Sequence, residues 1–464
     1  MAQHDQDHRA IVPSMGFPIL SLDPDCDFQE DQDYECPYKA EYTLEVTYQD
    51  MVESGRRGCK VCYIYSYAMI QTKLDLFYDN SEVHMASWFH HRGIDCFNHW
   101  GGPLNKESHP LEFICDARDP GIRSAIQNLP QTLSNERKLK AFDCDLDGAI
   151  TKIGYIEHLP SGETSSDMSF RRAKEWIARC DINHSCRKEV APMLPKRVVG
   201  LARDRIYIHE SHGERGAYAC LSHCWGPKGN DILLKTKKEV LATFKESIQW
   251  TALPKTFQDA IIACRRLGID WIWIDSLCIV QDDPLDWQLE SAKMATIYEN
   301  AYLTLAATFA EDASGGLFTG PDCTDHNAKS TPLLLQFPNG PTVPLICRRR
   351  LNHQHFPLIR RAWVYQERLL SPRILHFAGF ELIWECLAVS SDCECGSAEL
   401  LQTRSRDYLK NRNWRELVAY YLALELSHPS DIFPALSGLA DRFIRNFGDE
   451  YVAGMWKSTL IRDL

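Results

Sequence analysis

The chain has 464 residues, too many for one hydrophobic core, so its length points to two or three domains. Its 44% hydrophobic and 25% charged residues suit a folded protein in water. A net charge of −12, from 51 basic and 63 acidic residues, argues against a general binder of nucleic acid or of anionic membranes.

No apolar run approaches the roughly 20 residues that cross a bilayer. The start, MAQHDQDHRA, lacks the basic and apolar segments of a secretory signal. The expected location is cytoplasmic, where thiols stay reduced. The 18 cysteines then read as small buried side chains or as metal ligands.

Residues 1–40 are acidic, hold little to build a core from, and read as a mobile leader. From 41 to 195, alternating stretches such as AEYTLEVTYQD and TKLDLFYDN predict strands and hairpins of a cysteine-containing, mixed α+β N-terminal domain. SSDMSFRRAKEWIARCDINHSC predicts the helix that joins it to a domain over 196–390.

That domain opens with two strand signals in LPKRVVGLARDRIYIHESHGERGAYACLSHCWG. LPKTFQDAIIACRRLG predicts a helix with a capping-box-like start at Thr256 and Asp259. Phe257, Ala260, Ile261, Cys264 and Leu267 fall on one face, and Gly268 is the stop. IDWIWIDSLCIV is nearly all apolar, as in a parallel strand covered on both faces, which predicts a strand over 270–279. DDPLDWQLESAKMATIYENA predicts a helix with Trp287, Met294, Ile297 and Tyr298 toward the core, and YLTLAATFA another buried strand. This β-α-β-α-β order is that of a doubly wound α/β fold, whose ligands bind outside the carboxyl ends of the strands. Ser222 to Gly226 follow one such end and Asp275 to Asp283 the next, so both belong on one rim. A short helix ended by Pro372 and a hairpin turning near Ala378-Gly379 come next, and 391–464 predicts a helical C-terminal region.

YACLSHCWG, LPKTFQDAIIACRRLGIDWIWIDSLCIVQDD, DWQLESAKMATIYENAYLTLAA and RAWVYQERLLSPRILHF resemble, in order and spacing, the fungal HET (heterokaryon incompatibility) domain, closely from about Tyr218 to Cys386. GCKVC, AKEWIARCDINHSC, PALSGLADRF and YVAGMW resemble segments common in full-length members. The resemblance implies an effector of fungal non-self recognition, an innate-immunity role that ends in regulated cell death. Through a distant relation to TIR domains it also implies a TIR-like (flavodoxin-like), mainly parallel sheet flanked by helices, and an NAD glycohydrolase (NADase) with NAD as its substrate. WVYQERL places Glu367 four residues after Trp363, the spacing of the catalytic glutamate in the W-C-x-x-E-L helix of plant-type TIR domains. Val364 stands where that motif has cysteine, Leu369 falls one position late, and a long insertion precedes the helix.

Cleaving the nicotinamide–ribose bond expels a neutral leaving group, so the site has mainly to stabilise an oxocarbenium-like ribosyl cation. Glu367 is the candidate for that role; its bland alternative is a surface glutamate paired with Arg361 or Arg368. Ser222, Trp225, Asp275 and Trp363 are the candidate nucleotide contacts. Ser222 offers a hydroxyl or merely ends its strand. Asp275 holds ribose hydroxyls or caps a loop. Trp225 precedes a Gly-Pro turn and suits an aromatic wall better than Trp273 does. Cys278 with His223 reads as a thiol and its base, or more simply as a buried cysteine. No G-x-G-x-x-G or G-K-[ST] loop supports a dehydrogenase or a P-loop NTPase.

Cys59 and Cys62, with Cys180, His184 and Cys186, supply the soft ligands of a structural zinc, against a reading as packed thiols. The competing functional class is a non-catalytic signalling module that self-associates and recruits partners. The expected partners are NAD or a related nucleotide, further copies of the chain on activation, and an unidentified protein trigger, with no nucleic acid and no membrane span.

Overall fold

A computed structural model of the chain describes residues 162–186, 191–226, 233–320, 356–379, 381–388, 413–452 and 454–463. It also describes residues 53 and 57 and the strand backbones at 19–21, 43–46, 83–86, 111–115, 330–336, 342–349 and 392–393. The chain divides into two units. One comprises Met1–Leu159, Thr324–Arg350 and Cys395–Ser397; the other comprises Pro160–Cys323, Leu351–Glu394 and Ala398–Leu464.

In the first unit, Ile19–Ser21 lies parallel to Ser330–Gln336, which pairs antiparallel with Thr342–Arg349 and that in turn with Leu111–Cys115. Thr43–Val46 and Val83–Ala86 form a separate antiparallel pair. The long insertion ahead of the Glu367 helix is thus a hairpin of the first unit.

The second unit is built on eight strands: β1 Arg197–Gly200, β2 Tyr207–Glu210, β3 Ala219–Ser222, β4 Trp271–Trp273, β5 Leu303–Ala306, β6 Arg373–Phe377, β7 Leu382–Cys386 and β8 Asp392–Cys393. Its main helices are α1 Asp167–Asn183, α2 Lys238–Glu246, α3 Lys255–Leu267, α4 Asp275–Cys278, α5 Pro284–Ser291, α6 Met294–Asn300, α7 Ala362–Leu370, α8 Trp414–Leu422 and α9 Pro434–Phe447. The sheet order is β8-β7-β6-β5-β3-β4-β1-β2. The central four, β6, β5, β3 and β4, are parallel, and antiparallel strands flank them on both sides. β3 and β5 are buried along their whole length, as a sheet covered on both faces requires.

Taken in chain order, the four parallel strands lie in the spatial order 2-1-3-4. The chain leaves β3 toward β4 on one side and returns to β5 on the other. A crevice forms at such a reversal, outside the carboxyl ends of the strands.

The α3 helix forms as its face pattern predicts. Phe257, Ala260, Ile261 and Cys264 are buried, and Gly268 ends it in the left-handed region at φ 75°. Its start differs. Pro254 is the N-cap, and Thr256 and Asp259 already lie inside the helix. They reach sideways instead: Gly316 N–H donates to Thr256 Oγ1 at 3.0 Å, and Leu317 N–H to Asp259 Oδ2 at 2.9 Å.

Three further expectations need correction. The strand over 270–279 stops at Trp273, and α4 follows as one helical turn. The run is apolar because the turn is buried too; a short apolar run carries no period that separates strand from buried turn. The helix over 282–301 breaks at Ala292 and Lys293 into α5 and α6, which leaves Trp287 41% exposed while Met294, Ile297 and Tyr298 are buried. Two strands before β3, not one, precede the parallel core, because β1 and β2 form their own antiparallel pair.

Helix α1 falls in the second unit, where Trp176 stacks on Trp384 of β7 at 6.4 Å. The C-terminal helices also join this unit. Trp414, Leu417, Leu436, Leu439 and Phe443 form one buried cluster with Ala362, Tyr365, Leu369 and Leu370 of α7. No helix among the described residues is long and apolar enough to cross a membrane.

Candidate functional site

The carboxyl end of β3 delivers Ser222, His223, Cys224 and Trp225 in succession before the turn at Gly226. Gly226 has φ 77°, and a Cβ there would lie 2.4 Å from Asp312 Cβ, so the turn needs glycine on both counts. The Ser222 carbonyl is already engaged by Ala307 N–H at 2.9 Å. Its hydroxyl donates to Glu367 Oε2 at 2.5 Å.

Glu367 is buried, not a surface residue paired with its neighbours. Arg368 turns to Glu385 instead, Nε to Oε2 at 2.8 Å. Burial pushes the Glu367 carboxyl up to about 7. Asp275 adds to that rise, while Ser222, Tyr298 and Arg361 oppose it. The Tyr298 hydroxyl, beside Glu367, donates to Leu221 O at 3.1 Å.

A second pair stands on the same rim. Trp225 Nε1 donates to Asp275 Oδ2 at 2.9 Å, and Ser276 N–H donates to Asp275 Oδ1 at 2.6 Å. Trp225 is half-buried with Lys235 Nζ 5.0 Å above its ring, whereas Trp273 is a core residue packed edge-on to Tyr298. Asp275 Oδ1 also lies 3.9 Å from His223 Nδ1. Burial lowers the His223 pKa, which keeps the imidazole neutral despite Asp275. Cys278 is not its nucleophilic partner: burial pushes that thiol up to about 12, and its sulfur accepts from Ile274 N–H at 3.5 Å.

Trp363, one helical turn before Glu367, gives its indole N–H to Asp431 Oδ2 at 3.0 Å. The cavity that reaches Ser222, lined also by Thr304, Ala306, Ile374 and His376, measures about 10 Å³. That is room for roughly one water, against the ~300 Å³ or more of a ligand pocket. Ser222 and Glu367 themselves meet directly through their hydrogen bond.

Of the metal-ligand candidates, Cys180, His184 and Cys186 converge. Cys59 and Cys62 lie outside the described residues. Sequence reasoning missed Cys386, which completes the cluster, because nothing in IWEC marks it. It also missed a buried polar chain under α7, in which Glu385 Oε2 meets Arg368 and His376, and Thr308 Oγ1 lies 2.9 Å from His376 Nδ1.

Comparison with curated proteins and with solved structures finds no match. A family model does match: residues 218–367 fit that of the Heterokaryon incompatibility protein (HET). The match opens at the start of the strand that carries Ser222 and closes on Glu367. The rim lies within this matched segment, and residues 218–367 form a heterokaryon incompatibility (HET) domain.

Proposed function

We propose that this HET domain acts in non-self recognition and regulated cell death by hydrolysing the nicotinamide–ribose bond of NAD at the rim of β3 and β4. The observation that carries the reading is the buried Glu367 carboxylate bonded to Ser222 at the strand-order reversal. The 2-1-3-4 order is also that of flavodoxin-like sheets and agrees with a TIR-like ancestry.

In this reading Trp225 stacks on a ring of the nucleotide and Asp275 holds ribose hydroxyls. Ionised Glu367 faces the ribosyl cation as neutral nicotinamide departs. Water adds to the cation, giving ADP-ribose and one proton. The Ser222–Glu367 contact is a resting state that activation by self-association parts. The test is to incubate the purified chain with NAD, with and without crowding, and quantify nicotinamide and ADP-ribose. Equal release of both, abolished in Glu367→Gln, is the expected result. No turnover under either condition rejects hydrolysis and leaves a non-catalytic signalling module.

A further inference from the structure

Three thiols and one imidazole meet where helix α1 runs out beside the end of β7. Cys180 lies in the last turn of α1, and His184 is the C-cap, with its N–H donating to Cys180 O at 3.1 Å. The extended backbone at His184 (φ −127°, ψ 140°) turns the chain so that Cys186 returns to the same spot. Cys386 ends β7, with its sulfur 3.5 Å from His184 Nδ1. All four donor atoms lie within 4.8 Å of one another, and the three cysteines are buried.

A tetrahedral zinc with Zn–S of about 2.3 Å spaces its ligand atoms by roughly 3.8 Å, so small side-chain movements close the shell. Sulfur and imidazole donors favour zinc over calcium or magnesium, which take oxygen.

A second observation points the same way. Arg373 faces Cys386 directly in the β6–β7 ladder and is 1% exposed. Its Nη2 donates to Asp181 Oδ1 at 2.5 Å, Nε and Nη1 meet no oxygen or nitrogen acceptor among the described residues, and the Cys180 thiol lies beside the guanidinium. A buried guanidinium needs negative charge nearby. Zinc with three thiolates and a neutral histidine carries a net charge of −1, and it would sit beside that arginine.

We propose that Cys180, His184, Cys186 and Cys386 bind one structural zinc ion, with Arg373 as its charge partner. Three thiol protons leave as the ion enters. The ion ties the end of α1 to the far hairpin of the sheet, across 202 residues between His184 and Cys386. Four ligands close the shell without Cys59 or Cys62.

The full chain, purified without chelator, should hold about one zinc. X-ray absorption at the zinc edge should give three sulfurs at about 2.3 Å and one nitrogen at about 2.0–2.1 Å. Cys186→Ser and Cys386→Ser should each lower bound zinc at least tenfold, and a Cys59→Ser/Cys62→Ser double variant should keep the metal and its S₃N shell. If the Cys186 and Cys386 variants fail to fold, the wild-type absorption spectrum still decides. A folded wild-type chain without zinc, an S₄ or S₂N₂ shell, a disulfide among these cysteines, or zinc lost with Cys59 and Cys62 would each overturn the proposal.

Discussion

Ser222 and Glu367, 145 residues apart in the chain, meet through one buried hydrogen bond of 2.5 Å. That bond favours the carboxylate, yet burial outweighs it and holds the Glu367 pKa at about 7 instead of 4.5. Between those two values the folded protein keeps a proton that the unfolded chain has released. Stability is therefore full below 4.5, falls as pH rises toward 7, and falls no further above it. At about 1.4 kcal/mol per pH unit, the whole effect is on the order of 3 kcal/mol. Glu367→Gln keeps the shape and removes the charge. Urea unfolding should find it more stable than wild type at pH 8, with the difference fading by pH 5. A variant less stable than wild type at pH 8 would contradict this account.

Burial is the largest cause of the raised Glu367 pKa, and a Glu367 that stays buried after the Ser222 contact parts carries that shift into the pH dependence of the proposed hydrolysis. Only ionised Glu367 stabilises a ribosyl cation, so kcat/KM for NAD should climb as pH rises through about 7 and then level off. A rate that falls over that interval would mean the protonated acid is the working form.

Asp286 holds a different part of the fold. Its carboxylate accepts from Lys196 Nζ at 2.7 Å, from Val280 N–H at 2.9 Å and from the buried Arg197. Burial works against the charge, but these donors prevail and lower its pKa below 3.8. Its contribution is thus present above 3.8 and disappears only as pH falls through the lower folded value. Asp286→Ala strands Arg197 without its partner, which costs about 3–5 kcal/mol for buried pairs. Chemical denaturation at pH 7 measures this directly, and a loss under about 1 kcal/mol would show that water replaces the carboxylate.

The sequence carried local features faithfully. Gly268 stops α3 because only the left-handed cap was at issue, and the stretches read as strands at YACLS and YLTLAATFA hold β3 and β5, both buried along their whole length. The rim was legible for the same reason: a β-α-β order implies where strand ends collect. What two distant residues do to each other was not. Glu367 could be a surface ion pair or a buried acid until Ser222 was found against it. Apolar runs also misled, since Ser276, Leu277 and Cys278 are buried as a helical turn and not as a strand. Cys386 had no spacing signature, because its partners arrive from another part of the chain.

Helix α9 meets α6 and α7 at Gly438. A Cβ on Gly438 would lie 2.2 Å from Ala295 Cβ and 2.8 Å from Gln366 Oε1. Gln366 Oε1 also accepts the Gly438 N–H at 2.7 Å. Gly438→Ala gains about 1 kcal/mol of helix propensity but forces this overlap, and overpacking costs typically ~1–3 kcal/mol. The steric term should win, because the blocking atom is another Cβ and not the end of a flexible side chain. A net loss of roughly 1–2 kcal/mol in Gly438→Ala is expected by chemical denaturation. Ala295→Gly removes the opposing methyl at about 1 kcal/mol of its own helix cost. The double variant should then be less destabilised than the sum of the two single ones, with a coupling of at least ~0.5 kcal/mol. Strict additivity would mean that the helices simply move apart. In that case the neighbouring Glu367 should report the shift through a changed pH dependence of stability.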